Sequence, residues 1–306
     1  MYPWGVWIGF KLFAVALSAG GFTIAAAVHL FNIRRYRPIL RPMILTAFLG
    51  YSMFIISLLI DLGRPYRIWH PLVMWNPHSV MFEIAWCVSL YTMVLFLEFV
   101  PAVFERLEWN RPAAFLHRFL IPVVIAGVIL STLHQSSLGS LYLIVPEKLY
   151  PLWYSPLEPV FFFLSALCAG VAMAIFASWH SSRSLGKQLE FSLLVGLGRV
   201  LAVLLAVYLT VRALDIDHRG VFQYLFLSRK ETYFFWLEIV LLVVPMILMF
   251  QRYFHANAFW LYVSSVLTLF GFLVNRMNIA ITGMERSAGV HYFPKWQELA
   301  ITLGLV

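Results

Sequence analysis

The sequence predicts an all-α polytopic membrane protein of eight or nine transmembrane helices, arranged as two four-helix bundles, and three observations carry that expectation. Of the 306 residues, 62% are hydrophobic and only 12% charged, with a mean hydropathy of +0.83, which is too apolar for one water-soluble core. The apolar residues come in long runs without alternation, such as Phe119 to Leu133 and Trp236 to Phe250. In lipid every backbone N–H and C=O must be satisfied internally; a helix does this within one run, whereas a β-barrel would show alternating strands. Tryptophan and tyrosine gather at the ends of the runs (Trp4, Trp7, Tyr66, Trp69, Trp75, Trp109, Trp153, Tyr154, Trp179), where amphipathic rings favour the lipid–water boundary.

In chain order, spans are expected at 7–31, 43–61, 80–103, 119–134, 158–179, 193–214, 234–252 and 258–275. A ninth run begins near Leu299 and is cut off at Val306, as expected of a truncated carboxyl terminus. Residues 1–157 are read as the first bundle, carrying the site, and 158–306 as the second. Span 1 places Ala14, Ser18, Gly21 and Ala25 on one face, small residues that let a neighbouring backbone approach closely. No cleavable signal peptide is recognisable at the amino terminus.

The connections alternate in charge. Arg34, Arg35, Arg37 and Arg41 follow span 1, Arg106, Arg111 and Arg118 follow span 3, Arg183, Lys187 and then Arg199 follow span 5, and Arg252 follows span 7. Lysine and arginine counts tie between the two sides, but their density in short loops assigns this set to the cytoplasm. The amino terminus and the longer loops 62–79, 135–157, 215–233 and 276–297 are then expected outside. The net charge of +8 reflects this loop bias, and nucleic acid is excluded as a partner.

Cys87 and Cys168 both fall inside apolar runs, so neither a disulfide framework nor a cysteine-rich metal or iron–sulfur motif is available, and any cluster belongs to a partner. Haem ligation by two imidazoles needs histidines at matching depth on facing helices. His29, His117, His180 and His255 lie near span ends or in loops, and His70, His78, His218 and His291 in outer loops, so no haem is expected.

Ionisable groups within spans are costly and are functional candidates. Those that stand out are Lys11 in span 1, Asp61 and Arg64 closing span 2, Glu83 opening span 3 and His134 closing span 4, all toward the outer side. Each has a plainer reading beside the functional one. Asp61 and Arg64 are spaced for a local ion pair at a helix end, Lys11 can snorkel to the headgroups, and Glu83 can reach the interface or act as proton carrier or counter-ion to Lys11 or Arg64. The segment His134-Gln-Ser-Ser-Leu-Gly-Ser140 is the most informative. An imidazole at the membrane edge, followed by an amide and hydroxyls, can hydrogen-bond a quinone carbonyl and relay protons. In the second half, Arg199, Arg212 and Glu238 form either a polar path or a structural ion pair. A transporter would call for broken helices with mid-span glycine or proline and an inverted repeat, which Pro122 and Pro245 support thinly; a purely structural anchor is the other alternative.

The chain resembles the polysulfide reductase/NrfD family of membrane subunits, nearest to the HybB-type subunits of nickel–iron hydrogenase complexes. The similarity lies in Tyr2-Pro-Trp-Gly-Val-Trp-Ile-Gly-Phe10 with Ala19-Gly-Gly21, Ser79-Val-Met-Phe-Glu83, Leu97-Glu-Phe99 with Phe104-Glu-Arg-Leu107, the His134–Ser140 segment with Pro151-Leu-Trp153, and His291-Tyr-Phe-Pro294. This resemblance implies a multi-pass subunit of the cytoplasmic (inner) membrane, without haem, that exchanges electrons and protons between menaquinone and a ferredoxin-like iron–sulfur subunit at the periplasmic, outer side. Iron–sulfur clusters would reside only in that partner, and further subunits of a hydrogenase, Dsr-type or multihaem-cytochrome complex are expected. In this reading quinone docks among spans 1 to 4 beneath the loops 62–79 and 135–157. His134, Gln135, Ser137, Arg64, Lys11 and Trp4 contact it, Glu83 and Asp61 handle protons, and Arg64 holds Asp61 ionised. Lys11 stands where hydrogenase-type relatives carry an acidic residue.

Overall fold

The computed structural model describes residues 3–31, 33, 36–184, 191–251 and 257–305. Tyr2, Arg34, Arg35, Lys187, Arg252, His255 and Val306 lie outside the described residues, as do the side chains of Ala25, His29, Arg37, Arg41 and His117. All regular structure among the described residues is helical: α1 (Gly5–Leu30), α2 (Arg37–Asp61), the single turn α3 (His70–Val73), α4 (Val80–Arg106), α5 (Asn110–Arg118), α6 (Leu120–Leu143), α7 (Glu158–Ser184), α8 (Phe191–His218), α9 (Lys230–Phe250) and α10 (Ala258–Met277). A π-helical turn, Asn278–Thr282, joins α10 to α11 (Gly283–Ala288), and α12 (Trp296–Leu305) ends the described chain.

Eight of these are long and apolar enough to cross a bilayer: α1, α2, α4, α6, α7, α8, α9 and the rod formed by α10 and α11. They coincide with the eight expected spans. At 10 residues, α12 is too short to cross, since crossing takes about 20.

Two helices run furthest past their expected ends, in each case because polar side chains are satisfied within the protein. α6 continues through the polar segment to Leu143 because its serines bond to their own helix: Ser136 Oγ donates to Thr132 O at 3.0 Å, Ser137 Oγ to Leu133 O at 2.7 Å and Ser140 Oγ to Ser136 O at 3.0 Å. Hydroxyls satisfied in this way do not break a helix. His134 therefore lies about 13 Å inside the helix end at 1.5 Å per residue, not at the membrane edge, and the outer connection starts at Ile144. The last span likewise continues past residue 275 to Ala288, and Asn275, Arg276 and Asn278 become interior residues. Pro122 falls in the first turn of α6, where a missing N–H costs nothing; Pro101 and Pro245 lie inside α4 and α9.

Consecutive long helices alternate in direction, so the start of α1 meets the end of α2 and the start of α4 meets the end of α6. One end of the molecule carries the connections 62–79, 144–157 and 219–229, hereafter the loop end; the other carries α5. α1 is central, packing on α2 and α6 on one side and on α7 and α10 on the other. Its closest crossing is with α7: a Cβ on Gly20 would sit 1.8 Å from the Ala166 carbonyl oxygen, and one on Gly170 would sit 2.2 Å from Gly20 C. A Cβ on Gly21 would meet nothing within 4 Å, so Gly20 rather than Gly21 is the position where the crossing requires a glycine. Ser18 packs toward Gly50 of α2. Apolar side chains such as Met53, Ile129, Val203 and Ile247 are exposed, as a lipid-facing surface requires.

Candidate functional site

The polar residues singled out in the first half do come to the loop end, but in pairs other than those expected. Lys11 Nζ donates to Asp61 Oδ2 at 2.8 Å, with Lys11 buried and Asp61 42% exposed. Asp61 is thus held by Lys11, not by Arg64, and Lys11 reaches a partner inside the protein instead of the headgroups. The spacing rule for a local pair fails at this point because α2 ends at Asp61 and Leu62 is extended, which turns Arg64 away. Glu83 is neither Lys11's nor Arg64's counter-ion: its Oε1 lies 2.5 Å from Ser137 Oγ, whose one proton is shared between Glu83 and Leu133 O, tying the start of α4 to α6. Trp4 is exposed, its backbone N–H donates to Ala280 O at 3.0 Å, and its ring packs on Tyr142 with centres 5.3 Å apart.

His134 is wholly buried, and neither ring nitrogen has a hydrogen-bond partner. Both amide atoms of the neighbouring Gln135 are equally unpartnered. Beside His134 stand the buried hydroxyls of Tyr51 and Tyr91, also without partners; the hydroxyl of Tyr142, two turns further along α6, is unpartnered too. The His134 and Tyr51 rings are 5.8 Å apart, and Tyr51 and Tyr91 4.6 Å apart in an edge-on contact. Buried polar atoms are nearly always hydrogen-bonded, so a group of orphans marks a place for water or a ligand. The sequence marks tyrosines at run ends as interface belt, and nothing in it separates Tyr51 and Tyr91 from an apolar run except their single hydroxyls.

A cavity of about 670 Å³ opens between α2 and α4 under the connection 62–79. Its walls are apolar, among them Phe54, Leu58, Phe82, Ile84 and Val88, and its mouth carries Arg64, Arg67, His70 and Asn76. That volume is within the range of small-molecule sites, about 300–1,000 Å³, as is an apolar lining with a few polar groups at one end. Glu83 sits between two wall residues, Phe82 and Ile84. Phe54 and Val88 of the wall are each one turn from Tyr51 and Tyr91, so the unpartnered group lies one layer behind the cavity. Of the expected contact residues only Arg64 lines it; Lys11 lines a separate small void of about 50 Å³ with Trp7, Ser57 and Thr302.

The family model for polysulphide reductase, NrfD, matches residues 1–288. The chain belongs to the NrfD family. It is 36% identical over 99% of its length to a protein of Nitratidesulfovibrio vulgaris, covering 81% of that protein. It is 33% identical over its whole length to the Escherichia coli "Probable Ni/Fe-hydrogenase 2 b-type cytochrome subunit", covering 79% of it. The "Menaquinone reductase, integral membrane subunit" of Nitratidesulfovibrio vulgaris is 26% identical, again over the whole of this chain and 80% of the relative.

This NrfD-family chain also holds a buried charge network in its second half that sequence reasoning caught only in part. Arg212 NH1 donates to Glu158 Oε1 at 3.3 Å and NH2 to Leu152 O at 2.9 Å. Glu238 accepts from Trp153 Nε1 at 3.0 Å, Asn275 Nδ2 at 2.8 Å and Asn278 Nδ2 at 3.1 Å. Arg276 donates to Ser165 Oγ at 2.6 Å and lies over the Phe162 ring at 3.7 Å. Arg199, by contrast, is exposed and stands outside the network. Asn275 and Asn278, three residues apart, share one helix face and both reach Glu238, and the π turn Asn278–Thr282 follows directly.

Proposed function

We propose that this chain is the quinone-reactive membrane subunit of a respiratory oxidoreductase complex, exchanging electrons and protons between menaquinone or menaquinol and an iron–sulfur partner subunit docked at the loop end. The observation that carries the reading is the cavity between α2 and α4, apolar in its depth and cationic at its mouth, with the unpartnered His134, Tyr51 and Tyr91 behind it. The naming of one relative as a menaquinone reductase membrane subunit supports it.

A bound quinone supplies two-electron, two-proton chemistry; the chain's residues bind it and move protons. Phe54, Leu58 and Val88 offer a slot for a flat apolar ring and a prenyl tail. Arg64 and Arg67 place donors where a quinone oxygen gains charge. Ser137–Glu83 and Lys11–Asp61, both at the loop end, are hydrogen-bonded acid groups through which protons exchange with water on that side. We place this unit in the first bundle, residues 1–157, and the loop end on the periplasmic side of the cytoplasmic membrane.

The "b-type cytochrome" in the name of the Escherichia coli relative raises haem as a test of fit. Paired axial imidazoles would be needed at one depth. Among the described side chains His134 alone is a fully buried imidazole, so those residues do not fit a bis-histidine haem.

Filling the cavity from its wall tests the reading. Ala85→Trp is expected to lower the quinone that co-purifies with the complex by about tenfold or more, since displacing a bound ligand's packing volume costs at least 1.4 kcal/mol. Quinone extracted at the wild-type ratio from this variant would place the ligand elsewhere.

A further inference from the structure

At the α5 end, α7 and α10 carry a built cluster that the quinone site does not use. Phe176, Trp179, His180 and Arg183 recur along α7 at helical spacing and so share one face of it. Tyr262, in the second turn of α10, is inserted among them. Its ring stacks on Trp179 with centres 5.1 Å and planes 20° apart, and on Phe176 at 5.8 Å and 19°. Its hydroxyl lies 3.2 Å from His180 Nε2. The Arg183 guanidinium rests over the Trp179 ring, 4.5 Å from its centre.

Position and charge decide what such a cluster can hold. Arg183 lies in the last turn of α7 and Tyr262 about 6 Å inside the start of α10, the depth at which a helix passes from hydrocarbon into headgroups. Arg183 and His180 are exposed, and Arg183 has no carboxylate partner among the described residues. The connections from α7 to α8 and from α9 to α10 add Lys187 and Arg252 to the sequence against Glu190 alone. A guanidinium held over an indole keeps its N–H edge free, and that edge matches two oxygens of a phosphate. With Tyr262 donating to His180 Nε2, the imidazole proton sits on Nδ1 and supplies a second donor one turn away. A belt of interfacial aromatics needs only rings at the boundary; it does not need an uncompensated cation fixed on them.

We propose that this cluster is a headgroup site for one anionic phospholipid, with Arg183 and His180 binding the phosphate and Trp179, Tyr262 and the exposed Phe259 receiving the glycerol and upper acyl carbons. The site is independent of the quinone reading. Its occupant is a lipid because the donors stand on an aromatic platform at the edge of the lipid-facing surface, where a free phosphate gains nothing from the rings. It is an anionic lipid because a zwitterionic headgroup carries its own ammonium, which competes with Arg183 for the phosphate. Bound there, the lipid bridges α7 and α10 at the end opposite the Arg276–Ser165 contact that joins them inside the protein.

The experiment is native mass spectrometry of the intact complex, purified and delipidated, titrated separately with phosphatidylglycerol and phosphatidylcholine of the same acyl chains. The wild type is expected to bind one phosphatidylglycerol about fivefold or more tightly than phosphatidylcholine, the factor equivalent to about 1 kcal/mol for a basic group at a headgroup. Arg183→Gln should abolish that preference. Trp179→Leu leaves the charge but removes its platform, and should reduce the preference by about threefold, the scale of one cation–π contact. Arg111→Gln, which removes an exposed cation of α5 away from the cluster, should keep it. Equal affinity for the two lipids in the wild type, or full preference in Arg183→Gln, would overturn the site. So would equal loss in Arg183→Gln and Arg111→Gln, the mark of diffuse surface charge, or displacement of phosphatidylglycerol by inorganic phosphate at millimolar concentration.

Discussion

His134→Ala is expected to lower quinone-coupled turnover by about two to four orders of magnitude, the range lost with one proton-transferring group, while the complex still assembles. The imidazole is wholly buried, yet neither nitrogen bonds to the protein. Truncation therefore breaks no hydrogen bond to the protein and orphans no protein partner; what it removes from the protein is packing against Tyr51 at 5.8 Å. Buried truncations of this size cost about 2–5 kcal/mol, tolerable in a helix held on several sides. His134→Phe, which restores volume without a proton, should match Ala in turnover and exceed it in stability. Steady-state turnover with a soluble quinone analogue, alongside a gel-filtration profile of the complex, separates the two effects. Wild-type turnover in either variant would remove His134 from the proton path.

The largest stability effect is expected at Glu238. Its carboxylate is wholly buried and accepts from Trp153, Asn275 and Asn278. Glu238→Ala leaves those three donors without their acceptor and takes the negative charge from a network that also holds the cationic Arg276, bonded to Asn275. Breaking a buried charged cluster from one side costs about 3–5 kcal/mol, or about 10 °C in Tm for a chain of this size. The contrast is Asp61→Asn: its partner Lys11 is buried, but Asp61 is 42% exposed and water can replace much of what it supplies. Thermal unfolding of both variants in detergent should rank Glu238→Ala far below Asp61→Asn; equal midpoints would show that the network is not what holds α9 to α10.

Much of the fold was legible because lipid imposes one rule on every span. Long apolar runs had to be helices, and all eight were found where composition placed them. The ends were not legible where polar side chains satisfy one another or their own helix. Ser136, Ser137 and Ser140 look like loop residues until their hydroxyls turn back on carbonyls of the preceding turn. Asn275 and Arg276 look like a span's polar end until a π turn carries the helix on.

The site was legible in its chemistry more than in its pairing. Lys11, Asp61, Glu83 and Ser137 do gather at one end, and His134 does face inward. Which carboxylate meets which cation depends on where a helix stops within one or two residues, as Asp61 and Arg64 show. Tyr51, Tyr91 and Glu98 were missed for another reason. A hydroxyl or a lone acid in an apolar run has no neighbour in sequence to mark it; only the packing of α2, α4 and α6 shows Tyr51 and Tyr91 beside His134 and Glu98 buried within the bundle. Arg67 and His70, at the cavity mouth, were read as loop residues because the short helical turns that aim them, Pro65–Arg67 and His70–Val73, carry no periodic signal.

The central claim, that a quinone occupies the space between α2 and α4, is tested most directly by photo-crosslinking an azido-naphthoquinone to the intact complex in membranes and mapping the labelled peptides by mass spectrometry. The account predicts label on residues 54–89, with unlabelled menaquinone competing it away. Competable label confined to α8, α9 or α10, with none on α2 or α4, would contradict it.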